Sequence, residues 1–199
     1  MRAWIALIAV VLGLLAGSPS WAAERRIALV IGNSAYRSTD ILANPRRDAE
    51  AIAKALARAD FEVTLLTDLD QRGLQIAMRD FGLKSESSDV ALVYYAGHGI
   101  QFDGENYLVP VDARLQRERD LLYEALPLSA VLSEVALSRK LGLVFIDACR
   151  DNPLADRLAR NLGGRQRVGT GLARVDDVPT DTLVAFATAS SAVAFDGTG

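Results

Sequence analysis

Short apolar runs rich in β-branched residues recur along this chain, and stretches with helical periodicity separate most of them. Runs that are apolar at every position are typical of strands buried on both faces, which occur mainly in parallel sheets. Their alternation with helices predicts the α/β class, with a mostly parallel sheet and helices on both faces. The predicted strands span residues 26–31, 61–66, 90–95, 141–146 and 182–188, and the predicted helices span 44–58, 74–83 and 128–138.

Two other segments have a different pattern. Residues 101–110 are predicted to form a hairpin that turns at Asp103-Gly104, a favoured pair for tight turns. Residues 154–179 are rich in arginine and punctuated by glycine, and we expect them to form a long surface connection. Three tyrosines near the third predicted strand and the hairpin are interpreted as packing residues: Tyr94, Tyr95 and Tyr107.

The first 22 residues have the pattern of a secretory signal. Arg2 precedes an apolar stretch at 3–16 that is short for a membrane span, and small residues before Ala22 offer a cleavage site. We therefore expect cleavage near Ala22 and export to the periplasm or the medium. The alternative is an uncleaved N-terminal membrane anchor. The formal net charge is −3 and no basic stripe is present, so we expect no nucleic-acid partner.

The chain contains one cysteine and one histidine, and each follows a predicted buried strand. Strand 141–146 leads into Cys149 and strand 90–95 leads into His98. Because the carboxyl ends of parallel strands lie at one edge of a sheet, the thiol and the imidazole face each other if these strands are neighbours. A lone thiol in an exported protein is buried and inert, paired between chains, or catalytic.

The residues around the cysteine and the histidine favour a catalytic role. A cysteine nucleophile needs a partner that holds it as thiolate, and His98 is the only histidine that can do so. Glycines flank His98, and the N–H groups of Gly99 and Cys149 are candidates for an oxyanion hole. The competing interpretation of His98 is a hydrogen-bonded structural histidine at a strand end.

Five stretches in this order resemble the caspase-like cysteine peptidases, and most of all the paracaspases and metacaspases. They are ALVIGNSAY, NPRRDAEAI, LVYYAGHG, YLVPVDA and VFIDACRDN. The resemblance implies a three-layer caspase-like fold, with His98 as general base and acid and Cys149 as nucleophile. The implied reaction is peptide hydrolysis through an acyl-enzyme. After Cys149 the chain has Arg150-Asp151-Asn152 where the animal caspase pattern leads one to expect a glycine, which argues against animal-type specificity but not against the dyad.

The resemblance also divides the chain into parts. Residues 26–153 correspond to the large-subunit (p20-like) catalytic domain, and 154–180 to an arginine-rich intersubunit loop. Residues 181–199 correspond to the start of the small-subunit (p10-like) region, which usually continues further in family members. Caspases pair through this region, so the resemblance makes a homodimer one candidate assembly, and the sequence leaves the oligomeric state open. We predict no cofactor and no metal ligand, and the sequence leaves calcium dependence open. Asp103 and Glu105 are interpreted as hairpin-turn residues rather than as a cation site.

Two acidic residues predict the substrate class. Asp147 lies two residues before Cys149, where its charge would disfavour a thiolate, so we interpret it as part of a pocket wall. By the resemblance, Asp147 and Asp48 both line the S1 pocket. Two carboxylates close together favour a cation between them, which predicts protein or peptide substrates with Arg or Lys at P1. The alternatives are an acid favoured early in a helix for Asp48 and a strand-end turn residue for Asp147.

Two other functions remain open at the level of the sequence. The first is a catalytically silent caspase-like module that binds or scaffolds a partner. The second is another thiol hydrolase on an α/β sheet, such as an acyltransferase or an amidase. The intact His98 and Cys149 argue against the first, and the two acids, Asp48 and Asp147, argue against the second.

Overall fold

The computed structural model describes residues 24–149, 152–162, 168–169 and 172–187. The predicted secretory signal therefore lies outside the described residues. Within them, no helix is long and apolar enough to cross a membrane.

The strands and helices follow one another largely as the sequence predicts. The strands are β1 Arg26–Gly32, β2 Phe61–Thr67, β3 Val90–Phe102, β4 Glu105–Leu108, β5 Leu126–Pro127, β6 Leu141–Cys149, β7 Val168–Gly169 and β8 Thr182–Phe186. The helices are α1 Pro45–Arg58, α2 Gln71–Ser85, α3 Leu121–Glu124, α4 Leu128–Val135 and α5 Pro153–Asn161, with a 3-10 turn at Glu118–Asp120.

The central sheet is parallel in the order β2-β1-β3-β6-β8. Helix α1 packs on one face through Ala49 and Ala53. Helices α2 and α4 cover the other face with larger side chains, among them Phe81 and Leu132. The α/β class with a mostly parallel sheet covered on both faces is confirmed, and the layers are those of a caspase-like fold.

Helix α1 begins close against the end of β1. A Cβ atom at Gly32 would lie 2.5 Å from the Pro45 carbonyl oxygen and 2.8 Å from Ala49 Cβ, so only glycine allows this approach. Pro45 begins the helix, as the sequence predicts, but the Asn44 side chain makes no capping bond to the helix backbone. The close approach holds the first turn of α1, which contains Asp48, at the carboxyl edge of the sheet.

The third strand is longer than predicted. The sequence indicates an end at Tyr95, whereas β3 continues to Phe102. It runs parallel to β6 as far as His98 and antiparallel to β4 from Gly99 onward. The glycines suggested an end to the strand, but pairing with β4 carries the extended backbone through them. The predicted hairpin turn at Asp103-Gly104 is observed, with both residues at positive φ.

The segment that follows β6 is more ordered than the predicted surface connection. It contains helix α5, and Leu154 and Leu158 on that helix are fully buried. The Asn152 side chain accepts a hydrogen bond from the Leu154 N–H and caps the helix. The expectation of a surface connection over 154–179 is therefore wrong at its start, because two leucines four residues apart give a helix with a buried apolar face.

We expect Leu154→Ala to lower the free energy of unfolding by about 2–5 kcal/mol, because it leaves a cavity in a packed site. Urea unfolding followed by circular dichroism measures this change. Arg160→Ala on the exposed side of the same helix is the control and should cost less than about 1 kcal/mol. Equal stabilities for the two variants would contradict the packing of α5 onto the domain.

Candidate active site

The histidine and the cysteine are direct neighbours across two strands. In the parallel pairing of β3 with β6, His98 lies opposite Cys149 and Ala96 lies opposite Asp147. Adjacent strands are about 4.8 Å apart, so residues paired in this way share one small region of space. The adjacency of β3 and β6, on which the sequence-based expectation depended, is what brings His98 and Cys149 together.

His98 is almost fully buried, at 1% exposure. Its N–H donates to the Tyr36 hydroxyl at 2.7 Å, and its carbonyl oxygen accepts from the Val109 N–H at 3.1 Å. The Tyr95 hydroxyl lies 2.8 Å from the same carbonyl oxygen. The Tyr36 ring also packs against the imidazole, with 4.4 Å between the ring centroids. The histidine is therefore held by its backbone on both sides and by its ring.

The hydroxyl groups of Tyr36 and Tyr95 lie under the backbone at His98 and support it. They lie 3.2 Å apart, and both lie within hydrogen-bonding distance of the Val109 carbonyl oxygen. A Cβ atom at Gly97 would lie 2.6 Å from the Tyr36 hydroxyl oxygen and 2.7 Å from that of Tyr95. Glycine at position 97 is thus required by the hydroxyls below it. The sequence predicts only a packing role for Tyr95 and gives no signal for the role of Tyr36.

The glycine after the histidine also lies in a crowded environment. A Cβ atom at Gly99 would lie 3.0 Å from Leu172 Cδ2 and 3.1 Å from Ala148 Cβ. The Asn152 side chain donates to the Gly99 carbonyl oxygen at 3.2 Å. The segment with Leu172 is anchored by Asn106, which accepts from the Ala173 N–H and donates to its carbonyl oxygen. Gly99 therefore lies within packed surroundings, and its role as an oxyanion donor stays a prediction.

The two predicted pocket acids lie near one tyrosine. The Tyr94 hydroxyl donates to Asp147 Oδ2 at 3.2 Å. The pKa of Tyr94 is raised well above its usual value, first by burial, then by the charge and hydrogen bond of Asp147, and further by the charge of Asp48. The negative charge of Asp48 thus reaches the Tyr94 hydroxyl that is bonded to Asp147. Both acids are half-buried.

An acid outside the predicted set fixes the loop between β1 and α1. Asp68 accepts from the N–H groups of Ser34 and Ala35, both at 2.8 Å, and forms an ion pair with Arg46. Burial raises the pKa of Asp68, but the two N–H donors and Arg46 outweigh it and lower the pKa overall. Because Arg46 belongs to the same helical turn as Asp48, this ion pair helps to hold that turn in place.

No group of three or more His, Cys, Asp or Glu side chains in the described part of the chain could hold a metal ion. Glu105 follows the hairpin turn, and its carboxylate accepts a hydrogen bond from the Ser129 N–H at 3.2 Å. This bond ties the hairpin to the start of α4.

Comparisons with known proteins identify one family. Residues 25–199 match the family model described as the caspase domain. Over 91 residues, 46% of this chain, the sequence is 37% identical to human mucosa-associated lymphoid tissue lymphoma translocation protein 1. It is 36% identical to the mouse homologue over the same length. The chain spans only 11% of these relatives.

A solved structure has a similar fold. The crystal structure of a protein from Geobacter sulfurreducens superposes with a TM-score of 0.63 and 18% sequence identity. The match covers 87% of this chain and 76% of that one. At this level of identity the similarity concerns the fold alone.

We expect Tyr36→Phe to lower the free energy of unfolding by about 1–3 kcal/mol, because the buried His98 N–H loses its acceptor. Since His98 is the only histidine, its ring signals in proton NMR should shift without ambiguity. Tyr123→Phe is the control, because Tyr123 is 73% exposed, and should change neither quantity. Unchanged stability and unchanged histidine signals in Tyr36→Phe would contradict the supporting role of this hydroxyl.

Proposed function

This chain belongs to the caspase domain family, and on that premise we propose that it is a cysteine endopeptidase that hydrolyses peptide bonds after Arg or Lys. The family supports a cysteine peptidase of the paracaspase and metacaspase type that acts on protein substrates. The observation that carries the proposal is the in-register pairing of His98 with Cys149 on two neighbouring strands.

The proposed reaction proceeds through an acyl-enzyme. The Cys149 thiol gives its proton to His98, and the sulfur attacks the carbonyl carbon of the scissile bond. The N–H groups of Gly99 and Cys149 bind the resulting oxyanion. When the tetrahedral intermediate collapses, the C–N bond breaks and His98 returns the proton to the leaving amine. His98 then takes a proton from water, which attacks the thioester and releases the acid product and the thiol.

The tight support of His98 suits this reaction. General acid–base catalysis needs the imidazole within hydrogen-bond reach of the sulfur and of the leaving nitrogen in turn. A ring packed against Tyr36 and a backbone held by hydrogen bonds limit how far the imidazole can drift. This pre-organisation lowers the entropic cost of reaching the transition state.

The two acids support a basic P1 residue. Asp147 lies two residues before the proposed nucleophile. The charges of Asp48 and Asp147 both raise the pKa of Tyr94. A half-buried pair of carboxylates repels itself, and a guanidinium or ammonium group placed between them relieves this repulsion. We therefore propose Asp48 and Asp147 as the S1 acids.

Export of the protein is a separate proposal, because residues 1–22 lie outside the described part of the chain. If residues 1–22 act as a secretory signal, N-terminal sequencing of the protein recovered from an expressing bacterium should begin at about Ala23. Recovery of the intact N-terminus in the membrane fraction would contradict cleavage and favour an anchor.

The first test of the peptidase proposal is fluorophore release from matched peptides with Arg or Asp at P1. We expect release from the Arg peptide alone, and a fall of at least about 10³-fold in kcat for Cys149→Ala and for His98→Ala. Release from the Asp peptide alone would contradict the S1 assignment. Full activity in Cys149→Ala would contradict the nucleophile, and inactivity of the wild-type chain toward both peptides would favour a silent binding module.

The second test concerns the acids alone. We expect Asp48→Asn and Asp147→Asn each to lower kcat/KM for the Arg peptide by about 10–100-fold, since each removes one charge that pairs with the substrate. Alkylation of Cys149 by iodoacetamide should not slow in either variant. Asp80→Asn, an exposed change on α2, is the matched control and should retain wild-type kcat/KM. Equal losses in peptide hydrolysis and thiol alkylation would instead indicate damage to the nucleophile.

A further inference from the structure

Tyr94 has a hydroxyl that its packing does not require. The residue is only 7% exposed and lies on the face of the sheet that α1 covers. Its ring lines an apolar groove with Leu56, Leu92 and Phe145. A phenylalanine ring would fill this position equally well, and burying a hydroxyl is costly unless it is hydrogen-bonded. Here the hydroxyl donates to the carboxylate of Asp147 at 3.2 Å.

We propose that Tyr94 is a specificity-determining residue of the cation pocket and that it makes the pocket prefer arginine to lysine. Its hydroxyl holds the Asp147 carboxylate in an orientation that accepts two parallel N–H bonds from a guanidinium group. This inference rests on the proposed function, because it concerns the same S1 pocket.

The hydroxyl is a permanent donor at this site. Burial and the two neighbouring carboxylates raise the pKa of Tyr94 far above neutral pH, so the proton stays on its oxygen. A hydrogen bond to an ionised acceptor is stronger than one between neutral groups. The donated proton also offsets part of the negative charge of Asp147 while the pocket is empty. Tyr94 thus makes it less costly to have a second carboxylate, Asp48, whose charge also reaches the Tyr94 hydroxyl.

Arginine and lysine differ in how strongly their binding depends on a fixed orientation of the carboxylate. The terminal torsion of an aspartate side chain is broad, so an unrestrained carboxylate rotates easily. Guanidinium is planar and presents its N–H groups in a rigid fork, which matches a carboxylate only in one plane. Ammonium is a compact charge with three donors on a flexible stem and depends less on that plane. Fixing Asp147 through Tyr94 therefore benefits arginine more than lysine.

The hydroxyl oxygen also has capacity to accept a hydrogen bond. After donating its proton to Asp147, it retains lone pairs that can accept an N–H from the substrate cation. A guanidinium group has enough donors to bond both the carboxylate and the tyrosine oxygen. This gives Tyr94 a direct contact with the P1 side chain as well as an indirect effect through Asp147.

The test compares Tyr94→Phe with wild type on matched Arg-P1 and Lys-P1 peptides. One hydrogen bond to a charged group corresponds to about a tenfold or larger effect, so we expect kcat/KM to fall about tenfold for Arg and about twofold for Lys. The loss should appear mainly in KM, because the reacting atoms are unchanged. Tyr123→Phe, on an exposed tyrosine, is the matched control and should preserve the Arg-to-Lys ratio.

A second measurement does not depend on hydrolysis. Benzamidine, a planar amidinium cation, is titrated by calorimetry into Cys149→Ala protein with Tyr94 intact or changed to Phe. We expect Tyr94→Phe to weaken binding about tenfold, by the same hydrogen-bond argument. If the wild-type chain hydrolyses neither peptide, the peptidase proposal fails while this titration still decides the role of Tyr94. An unchanged affinity and an unchanged Arg-to-Lys ratio, or no benzamidine binding to Cys149→Ala, would overturn the inference.

Discussion

The parallel pairing of β3 with β6 is the interaction on which the rest of the site depends. Its register places His98 beside Cys149, and it places Asp147 two residues earlier, opposite Ala96. Because side chains alternate along a strand, a shift of one residue would turn the proposed nucleophile and the pocket acid to the opposite face. The buried apolar residues of both strands prevent such a shift, since they would have to leave the core.

The antiparallel half of β3 explains why the backbone at His98 is held firmly. Past His98 the strand leaves the parallel sheet and pairs with β4, so this backbone carries hydrogen bonds from two sheets. The hydroxyls of Tyr36 and Tyr95 fill the space beneath Gly97, where any side chain would collide with them. The backbone around His98 is therefore supported by Tyr95 from the same strand and by Tyr36 from a distant part of the chain, and Gly97 allows both hydroxyls to come close.

The sequence predicts the strands near the site better than it predicts the contacts within the site. Apolar runs fix which segments are buried strands, and two such strands carry the single histidine and the single cysteine. The sequence indicates too early an end for β3, because glycines suggest a break unless the pairing partner is known. Helix α5 is not predicted, because the arginines and glycines spread over 154–179 indicate a surface connection, although Asn152-Pro153 and the spacing of Leu154 and Leu158 are helix signals. The hydroxyl bonds of Tyr36 and Tyr94 join residues more than 50 positions apart, and no local pattern predicts them.

The most direct test of the account is covalent labelling of the thiol by peptidyl ketone electrophiles with Arg or Asp at P1, followed by intact-mass analysis. Cys149 is the only cysteine in the chain, so a thiol adduct has one possible location. The account predicts a single adduct from the Arg reagent, none from the Asp reagent, and no rapid adduct in His98→Ala. If simple alkylating agents label the thiol but neither peptide reagent reacts, the peptidase account is contradicted. That result would indicate a thiol without a peptide-binding pocket.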